Sequence, residues 1–147
     1  LKKIKKWRNS KVRRYVLASH GKMAEGIKTT LEIIIGPQED LTCVNAYTDE
    51  CPDPLPEFQK VIEQYPNDEI VIMTDMLGGS VNNNAVVLTK NPNVHVVTGM
   101  NLAVVISIIM SDQNSDTKEV INHAIEQARE MIIYCNDLES DEEDDDF

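Results

Sequence analysis

The chain alternates between short, mostly apolar runs and longer stretches in which apolar residues recur every three or four positions. The short runs cover Tyr15–Ser19, Leu41–Tyr47, Glu69–Thr74 and Val94–Thr98. Because Val, Ile and Leu dominate them and strict polar alternation is missing, they predict strands that are buried on both faces, as in a parallel sheet.

The stretches between these runs have the period of amphipathic helices. In the first, Met23, Ala24, Ile27 and Leu31 fall on one face, and Gly36-Pro37 ends the pattern. Four further helices are predicted, at Phe58–Ile62, Ser80–Leu88, Leu102–Met110 and Ser115–Gln127. Ser80 is a plausible cap for the third of the five.

Strands that alternate with helices predict a three-layer α/β domain, with a central, mostly parallel sheet of four strands and helices on both faces. A chain of 147 residues is long enough for one such domain. Since only 5% of the residues are aromatic, the core is expected to consist mainly of Ile, Val, Leu and Met. The segment Met131–Cys135 either extends the last helix or forms a fifth strand.

Charge divides the chain into a body and two ends. The chain has 25 acids and 14 bases; eight of the bases lie in residues 1–14 and eight of the acids in residues 137–147. The remaining 17 acids and 6 bases give the body a net charge of −11, which argues against a nucleic-acid-binding core and favours cationic partners. We therefore expect a basic arm at 1–14, a domain at 15–136 and a disordered acidic tail at 137–147.

The cysteines and the hydropathy pattern indicate a cytoplasmic protein. Cys43, Cys51 and Cys135 are odd in number and form neither a CxxC pair nor a zinc-ligand spacing, which predicts reduced thiols and no metal. No apolar run approaches the roughly 20 residues that a membrane span needs. The basic amino end lacks the apolar segment and cleavage site of a secretion signal.

Two of the predicted strands end on residues that can carry chemistry. The first strand ends at His20, and the third is followed directly by Asp75. If both strands are parallel in one sheet, the two side chains emerge together at its carboxyl edge, where α/β proteins bind their ligands. A carboxylate that accepts from one imidazole nitrogen leaves the other free as a nucleophile, so the pair predicts a histidine that takes up a phosphoryl group.

Donors for the phosphoryl oxygens are predicted around the same edge. Backbone N–H groups of Gly78, Gly79 and Ser80 open a helix and suit an anion, and the hydroxyl groups of Ser19 and Ser80 add further donors. Considered alone, His20 is interpreted as a loop histidine, Asp75 as an acidic residue of a helix cap or turn, and Gly78-Gly79-Ser80 as a tight turn. Only their combination predicts a catalytic site.

The other two histidines have simpler interpretations. His95 occupies an alternating position within the fourth strand, which indicates a buried or half-buried structural role. His123 lies among polar neighbours on the last helix and is expected to be exposed.

Three motifs in register resemble a known family. Ala18-Ser19-His20-Gly21, Asp75-Met76-Leu77-Gly78-Gly79-Ser80 and Thr98-Gly99-Met100-Asn101-Leu102 are similar to the signatures of the mannose-family enzyme IIA domains of the bacterial phosphoenolpyruvate-dependent sugar phosphotransferase system. The likeness extends from about Arg14 to Cys135. The chain departs from the usual pattern at Val81-Asn82-Asn83, where many members have Pro-Phe-Asn, and at Ala103, where proline is frequent.

The resemblance implies a function, partners and an assembly. The histidine-containing phosphocarrier protein would phosphorylate His20, Asp75 would orient the ring, and an enzyme IIB would accept the phosphoryl group during sugar uptake. This makes the chain a phosphotransferase that needs no cofactor and meets the membrane only through a permease complex. The resemblance also implies a homodimer that exchanges an antiparallel strand, here Met131–Cys135.

Two other functions stay open. The same kind of domain serves some transcriptional activators as a regulatory module that responds to phosphorylation. A module that binds a small ligand or nucleotide through Gly78-Gly79-Ser80 is a third reading, although the chain contains neither a GxGxxG nor a GxxxxGK[ST] fingerprint.

Overall fold

The computed structural model describes residues 11–138 and forms one parallel sheet. Its strands are β1 (Arg13–His20), β2 (Leu41–Ala46), β3 (Glu69–Thr74) and β4 (Val94–Thr98), in the order β2-β1-β3-β4. All three neighbouring pairs are parallel. The predicted sheet of four parallel strands is confirmed.

Five α-helices connect or follow the strands. They are α1 (Met23–Ile35), α2 (Pro54–Gln64), α3 (Ser80–Val86), α4 (Leu102–Ile109) and α5 (Thr117–Glu130), and short 3-10 helices follow at Val87–Lys90 and Cys135–Leu138. Side chains cap three of them: Asp53 accepts from the N–H of Leu55, Asn101 from Val104 and Asp116 from Glu119. Each cap satisfies one of the backbone donors that a helix start leaves without an intrahelical acceptor. The prediction that Ser80 caps α3 is wrong: Gly79 is the N-cap, Ser80 is the first helical residue, and no side chain caps this helix.

The sheet separates two apolar cores, as the three-layer architecture requires. Helices α1, α4 and α5 cover one face, where Tyr15 and Leu17 of β1 are buried. Helices α2 and α3 cover the other face, where Val16 and Ala18 are buried. Successive residues of β1 thus enter opposite cores, which explains why the run Tyr15–Ala18 is apolar without alternation.

Strand β1 begins at Arg13, two residues before its predicted start. The Arg13 side chain is 1% exposed, and its Nε donates to Thr117 Oγ1 at 2.9 Å. Its Nη1 donates to Ser111 Oγ at 3.0 Å and to the carbonyl oxygen of Asp112 at 3.0 Å, and its Nη2 donates to the carbonyl oxygen of Ser115. The buried guanidinium group therefore has hydrogen-bond partners within the domain, so Arg13 is part of the fold and not of a basic arm. The rest of the predicted arm and most of the acidic tail lie outside the described residues.

The predicted fifth strand does not form within the described part of this single chain. Helix α5 ends at Glu130, residues 132–134 have no regular secondary structure, and Cys135 opens a 3-10 helix. Met131, Ile132, Ile133 and Tyr134 are 51–78% exposed. A strand needs a ladder of hydrogen bonds to a neighbouring backbone, and among the described residues this segment pairs with none of the four strands. Among residues 11–138, no helix is both long and apolar enough to span a bilayer.

Candidate functional site

The topology brings His20 and Asp75 together at the carboxyl edge of the sheet. Strands β1 and β3 are neighbours with Ala18 opposite Thr74, so the residues that end each strand emerge side by side. The chain leaves β1 toward β2 on one side of the sheet, while β3 lies on the other side. Such a reversal of strand order opens a crevice at the carboxyl edge, and this is where the predicted pair lies.

One oxygen of Asp75 holds both the ring and the backbone of His20. Its Oδ2 lies 2.7 Å from Nδ1 of the ring and accepts the backbone N–H of His20 at 2.8 Å. Its Oδ1 accepts the backbone N–H of Met76 at 3.0 Å. Because an ionised carboxylate can only accept, Nδ1 of the neutral ring carries the proton and Nε2 keeps its lone pair.

These contacts also keep Asp75 ionised. Partial burial acts to raise the pKa of this carboxyl group, but the hydrogen bonds from the backbone and ring of His20 and from the N–H of Met76 outweigh it. The net result is a pKa below its ordinary value of 3.8. At neutral pH, a fixed negative charge therefore faces Nδ1 of the ring.

The opposite side of the ring is open. The His20 side chain is 44% exposed, whereas that of Asp75 is 12% exposed. Ser80 Oγ lies 3.4 Å from Nε2. An incoming group can therefore reach Nε2 from solvent and meet the Ser80 hydroxyl as it does so.

Two glycines make room beside the ring. Gly78 has a φ of +77°, a left-handed conformation that disfavours other residues. A Cβ on Gly79 would lie 2.9 Å from Met76 Cγ and 3.4 Å from Cε1 of His20. The N–H of Gly79 donates to the carbonyl oxygen of Met76 at 3.3 Å, so this predicted donor closes a turn. The N–H of Ser80, by contrast, lies in the first turn of α3, where backbone donors lack intrahelical acceptors.

Ser19 is placed differently from the other predicted phosphate-binding residues. It is 0% exposed, its hydroxyl donates to the carbonyl oxygen of Gly21 at 3.1 Å, and it accepts the N–H of Ala24 at 2.8 Å. Both contacts fix the turn that leads from β1 into α1. This geometry does not support Ser19 as a phosphate donor, because its single proton is already used inside the protein.

Tyr47 is a residue of the site that the sequence analysis missed. Its hydroxyl donates to Ser80 Oγ at 2.6 Å, and its ring centroid lies 5.3 Å from that of His20. The sequence did contain a signal: Tyr47 follows β2, and β2 pairs with β1 so that Ala46 lies opposite His20. The rule that located His20 and Asp75 therefore also places Tyr47 at the same edge.

The assembled side chains suit nucleophilic chemistry at one nitrogen. Asp75 fixes the proton on Nδ1 and can stabilise a cationic ring, while Nε2 is accessible and faces a hydroxyl donor. Among the described residues, no group of three or more His, Cys, Asp and Glu side chains is arranged to hold a metal ion.

Comparison with known proteins adds an independent observation. A family model described as the fructose IIA component of the PTS system matches residues 14–125. A structure from Klebsiella pneumoniae, described as a phosphoenolpyruvate-dependent sugar phosphotransferase system (PTS) permease, is 34% identical, with a TM-score of 0.80 over 86% of this chain and 93% of that one.

Two more distant structures share the fold. The mannose/sorbose-specific IIA subunit of the phosphotransferase system from Enterococcus faecalis is 23% identical, with a TM-score of 0.73 over 83% of this chain and 93% of that one. A sigma-54 interaction domain protein from the same organism is 19% identical, with a TM-score of 0.60 over 84% of this chain and 94% of that one.

Proposed function

This chain belongs to the family of PTS fructose IIA components, and on that basis we propose that it carries phosphoryl groups in a sugar phosphotransferase system through Nε2 of His20. The donor is the histidine-containing phosphocarrier protein and the acceptor an enzyme IIB. The observation that carries the proposal is the asymmetry of the His20 ring, with Nδ1 held by Asp75 at 2.7 Å and Nε2 open.

The proposed step is a transfer between two imidazoles. The lone pair on Nε2 of His20 attacks the phosphorus of the donor's phosphohistidine, and the donor's N–P bond breaks with its electron pair returning to the donor's ring. The His20 ring gains a new N–P bond while its Nδ1 proton stays in place. Asp75 stabilises the positive charge that forms on the ring, and no free proton is released or taken up.

Ser80 is the donor that we assign to the transferred group. Its hydroxyl faces Nε2 at 3.4 Å, and its N–H lies at the start of α3. Gly78 and Gly79 contribute chiefly the space for the phosphoryl oxygens, because a Cβ at Gly79 would crowd Met76 and approach the His20 ring.

The surface around His20 suits a protein partner. Met23, Met76 and Leu77 flank the site in sequence and are 47%, 57% and 79% exposed. Large apolar side chains that stay exposed next to a site suit contact with a protein partner. The negative charge of the body supports a partner with a basic docking face, because opposite charges steer transient encounters.

The test is the intact mass of the protein after incubation with phosphoenolpyruvate, enzyme I and the phosphocarrier protein. We expect one acid-labile addition of about 80 Da on the wild type and none on His20→Ala. His123→Ala is the matched control, because His123 is exposed on α5, and it should be modified like the wild type. An unmodified wild type with competent partners would contradict the proposal, and a modified His20→Ala would place the carrier elsewhere.

We also propose that the chain forms a homodimer through its carboxyl-terminal segment. The apolar residues 131–134 are exposed, and a groove along β4 is lined by Val96, Thr98 and by Ile132 of the segment itself, so the segment of a second copy has an apolar surface on which to pack. Sedimentation should show a dimer for the wild type and a monomer for Ile132→Asp/Ile133→Asp. A wild-type monomer, or a variant that stays dimeric, would rule out this interface.

A regulatory module is the second candidate function, and one observation favours it. The sigma-54 interaction domain protein shares the fold, although 19% identity carries no functional conclusion by itself. Adding enzyme IIB to the phosphorylated protein separates the two. Rapid loss of the 80 Da addition to enzyme IIB indicates a transport component, while retention indicates a regulatory domain.

A further inference from the structure

We propose that Tyr47 is a positioning residue that holds the Ser80 hydroxyl as a donor toward Nε2 of His20 and toward the phosphoryl group that binds there. The inference rests on the proposed function of His20 and concerns how its acceptor side is built.

The three side chains form a chain of contacts on the open side of the imidazole. The Tyr47 hydroxyl donates to Ser80 Oγ at 2.6 Å, and Ser80 Oγ lies 3.4 Å from Nε2. The Tyr47 ring is tilted by 44° against the imidazole, with centroids 5.3 Å apart. Tyr47 thus borders the ring while its hydroxyl reaches past it to Ser80.

The direction of the hydrogen bonds among Tyr47, Ser80 and His20 determines what Ser80 can do. Ser80 Oγ accepts the Tyr47 proton, so its own O–H is directed to another acceptor. Nε2 is that acceptor in the free protein, and a phosphoryl oxygen replaces it after transfer. A hydroxyl that accepts one hydrogen bond is polarised into a stronger donor for the next, so Tyr47 strengthens the contact that Ser80 makes.

The backbone conformation at Tyr47 indicates that its side chain has a function in the site. Tyr47 has a φ of +63° and is the only non-glycine residue in the described chain with a positive φ. This region suits Gly, Asn or Asp and costs a bulky residue about 1 kcal/mol or more. Two hydrogen bonds hold the loop closed, from Tyr47 N–H to Cys51 O at 2.8 Å and from Cys51 N–H to Thr48 O at 3.1 Å.

The contribution of Tyr47 to the core is small. Its side chain belongs to neither apolar cluster, and the residue is 50% exposed. Packing therefore does not explain a tyrosine in this conformation, whereas its contact with Ser80 does. Removing only the hydroxyl should leave the fold unchanged.

The test combines Tyr47→Phe, Ser80→Ala and the double variant in single-turnover phosphorylation by the phosphocarrier protein. We expect Tyr47→Phe to be roughly 3- to 10-fold slower than the wild type, the range of one lost hydrogen bond. Because Tyr47 acts through Ser80, the double variant should react at the rate of Ser80→Ala alone. Tyr65→Phe, which removes the hydroxyl of another tyrosine just beyond α2, is the control and should match the wild type.

A second measurement is independent of activity. In the unphosphorylated protein, Tyr47→Phe should move the ¹⁵N resonance of His20 Nε2 in the direction of the Ser80→Ala value, with an unchanged melting temperature. A wild-type rate and an unmoved resonance in Tyr47→Phe would overturn the inference, and so would effects of the two substitutions that multiply. A wild type that takes up no phosphoryl group would defeat the proposed function, while the resonance would still decide the role of Tyr47.

Discussion

Residues 11–138 contain two pairs of a histidine and a carboxylate, one at each end of the sheet. At the carboxyl edge, His20 Nδ1 lies 2.7 Å from Asp75 Oδ2. At the amino edge, His95 Nε2 lies 3.2 Å from Glu69 Oε1. The two pairs contain the same functional groups and join neighbouring strands, yet only the first is placed where chemistry is expected.

The difference lies in the position of each pair in the sheet and in the groups around it. The other oxygen of Glu69 accepts from Thr117 Oγ1 at 2.5 Å, and Thr117 accepts from the buried Arg13 at 2.9 Å. This network ties β1, β3 and α5 together and engages Glu69 on both oxygens. At the carboxyl edge, Asp75 is engaged on both oxygens while Nε2 of His20 faces solvent and a hydroxyl. A histidine–carboxylate pair is thus placed for chemistry where it lies at the carboxyl edge, with a more exposed ring and a hydroxyl beside its second nitrogen.

The largest effect is expected when the carboxylate of each pair is replaced by the corresponding amide. In Asp75→Asn, the single amide oxygen cannot serve all three donors, and the negative charge that fixes the tautomer is lost. We expect phosphorylation of His20 to slow roughly 100-fold without disappearing. Stopped reactions read by intact mass would measure it.

Glu69→Gln is the matched variant at the other end of the sheet. It should leave the phosphorylation rate unchanged and lower the free energy of unfolding by about 1 kcal/mol, the worth of a hydrogen bond. A slow Glu69→Gln or a fast Asp75→Asn would remove the distinction between the two pairs.

A smaller effect is expected in the pH dependence of stability. The pKa of Asp75 is lower in the folded protein than its ordinary value of 3.8, so its ionised form stabilises the fold. This contribution is complete above 3.8 and is lost as the pH falls through the lower folded value. Urea unfolding over a pH series should show that the difference in free energy of unfolding between the wild type and Asp75→Asn shrinks below pH 3.8. If this difference stays constant with pH, the contacts of Asp75 do not stabilise its ionised form.

Features set by local pattern could be predicted from the sequence. The apolar runs located all four strands, and parallel order then placed His20 beside Asp75. Both conclusions need only periodicity and the rule that parallel strands share an edge. The roles of these residues in phosphoryl transfer stay predictions until they are measured.

Features that depend on distant partners could not be predicted. Arg13 resembles the bases before it, and its burial depends on acceptors that lie between 98 and 104 residues later. The Ser19 hydroxyl looks available in the sequence, yet the turn into α1 uses it. Tyr47 is aimed at Ser80 by loop hydrogen bonds and a left-handed backbone that no periodicity encodes.

Asp75 Oδ2 contacts both the backbone and the ring of His20, and this determines when the site becomes complete during synthesis and folding. This atom binds both the end of β1 and the ring of His20, and the two residues are 55 positions apart in the chain. A ribosome completes His20 long before Asp75 exists, and until β3 docks beside β1 the imidazole has no fixed tautomer. Under the proposed function, full competence to receive a phosphoryl group is therefore acquired together with the sheet, so that unfinished or misfolded copies compete poorly with folded ones for the phosphoryl donor.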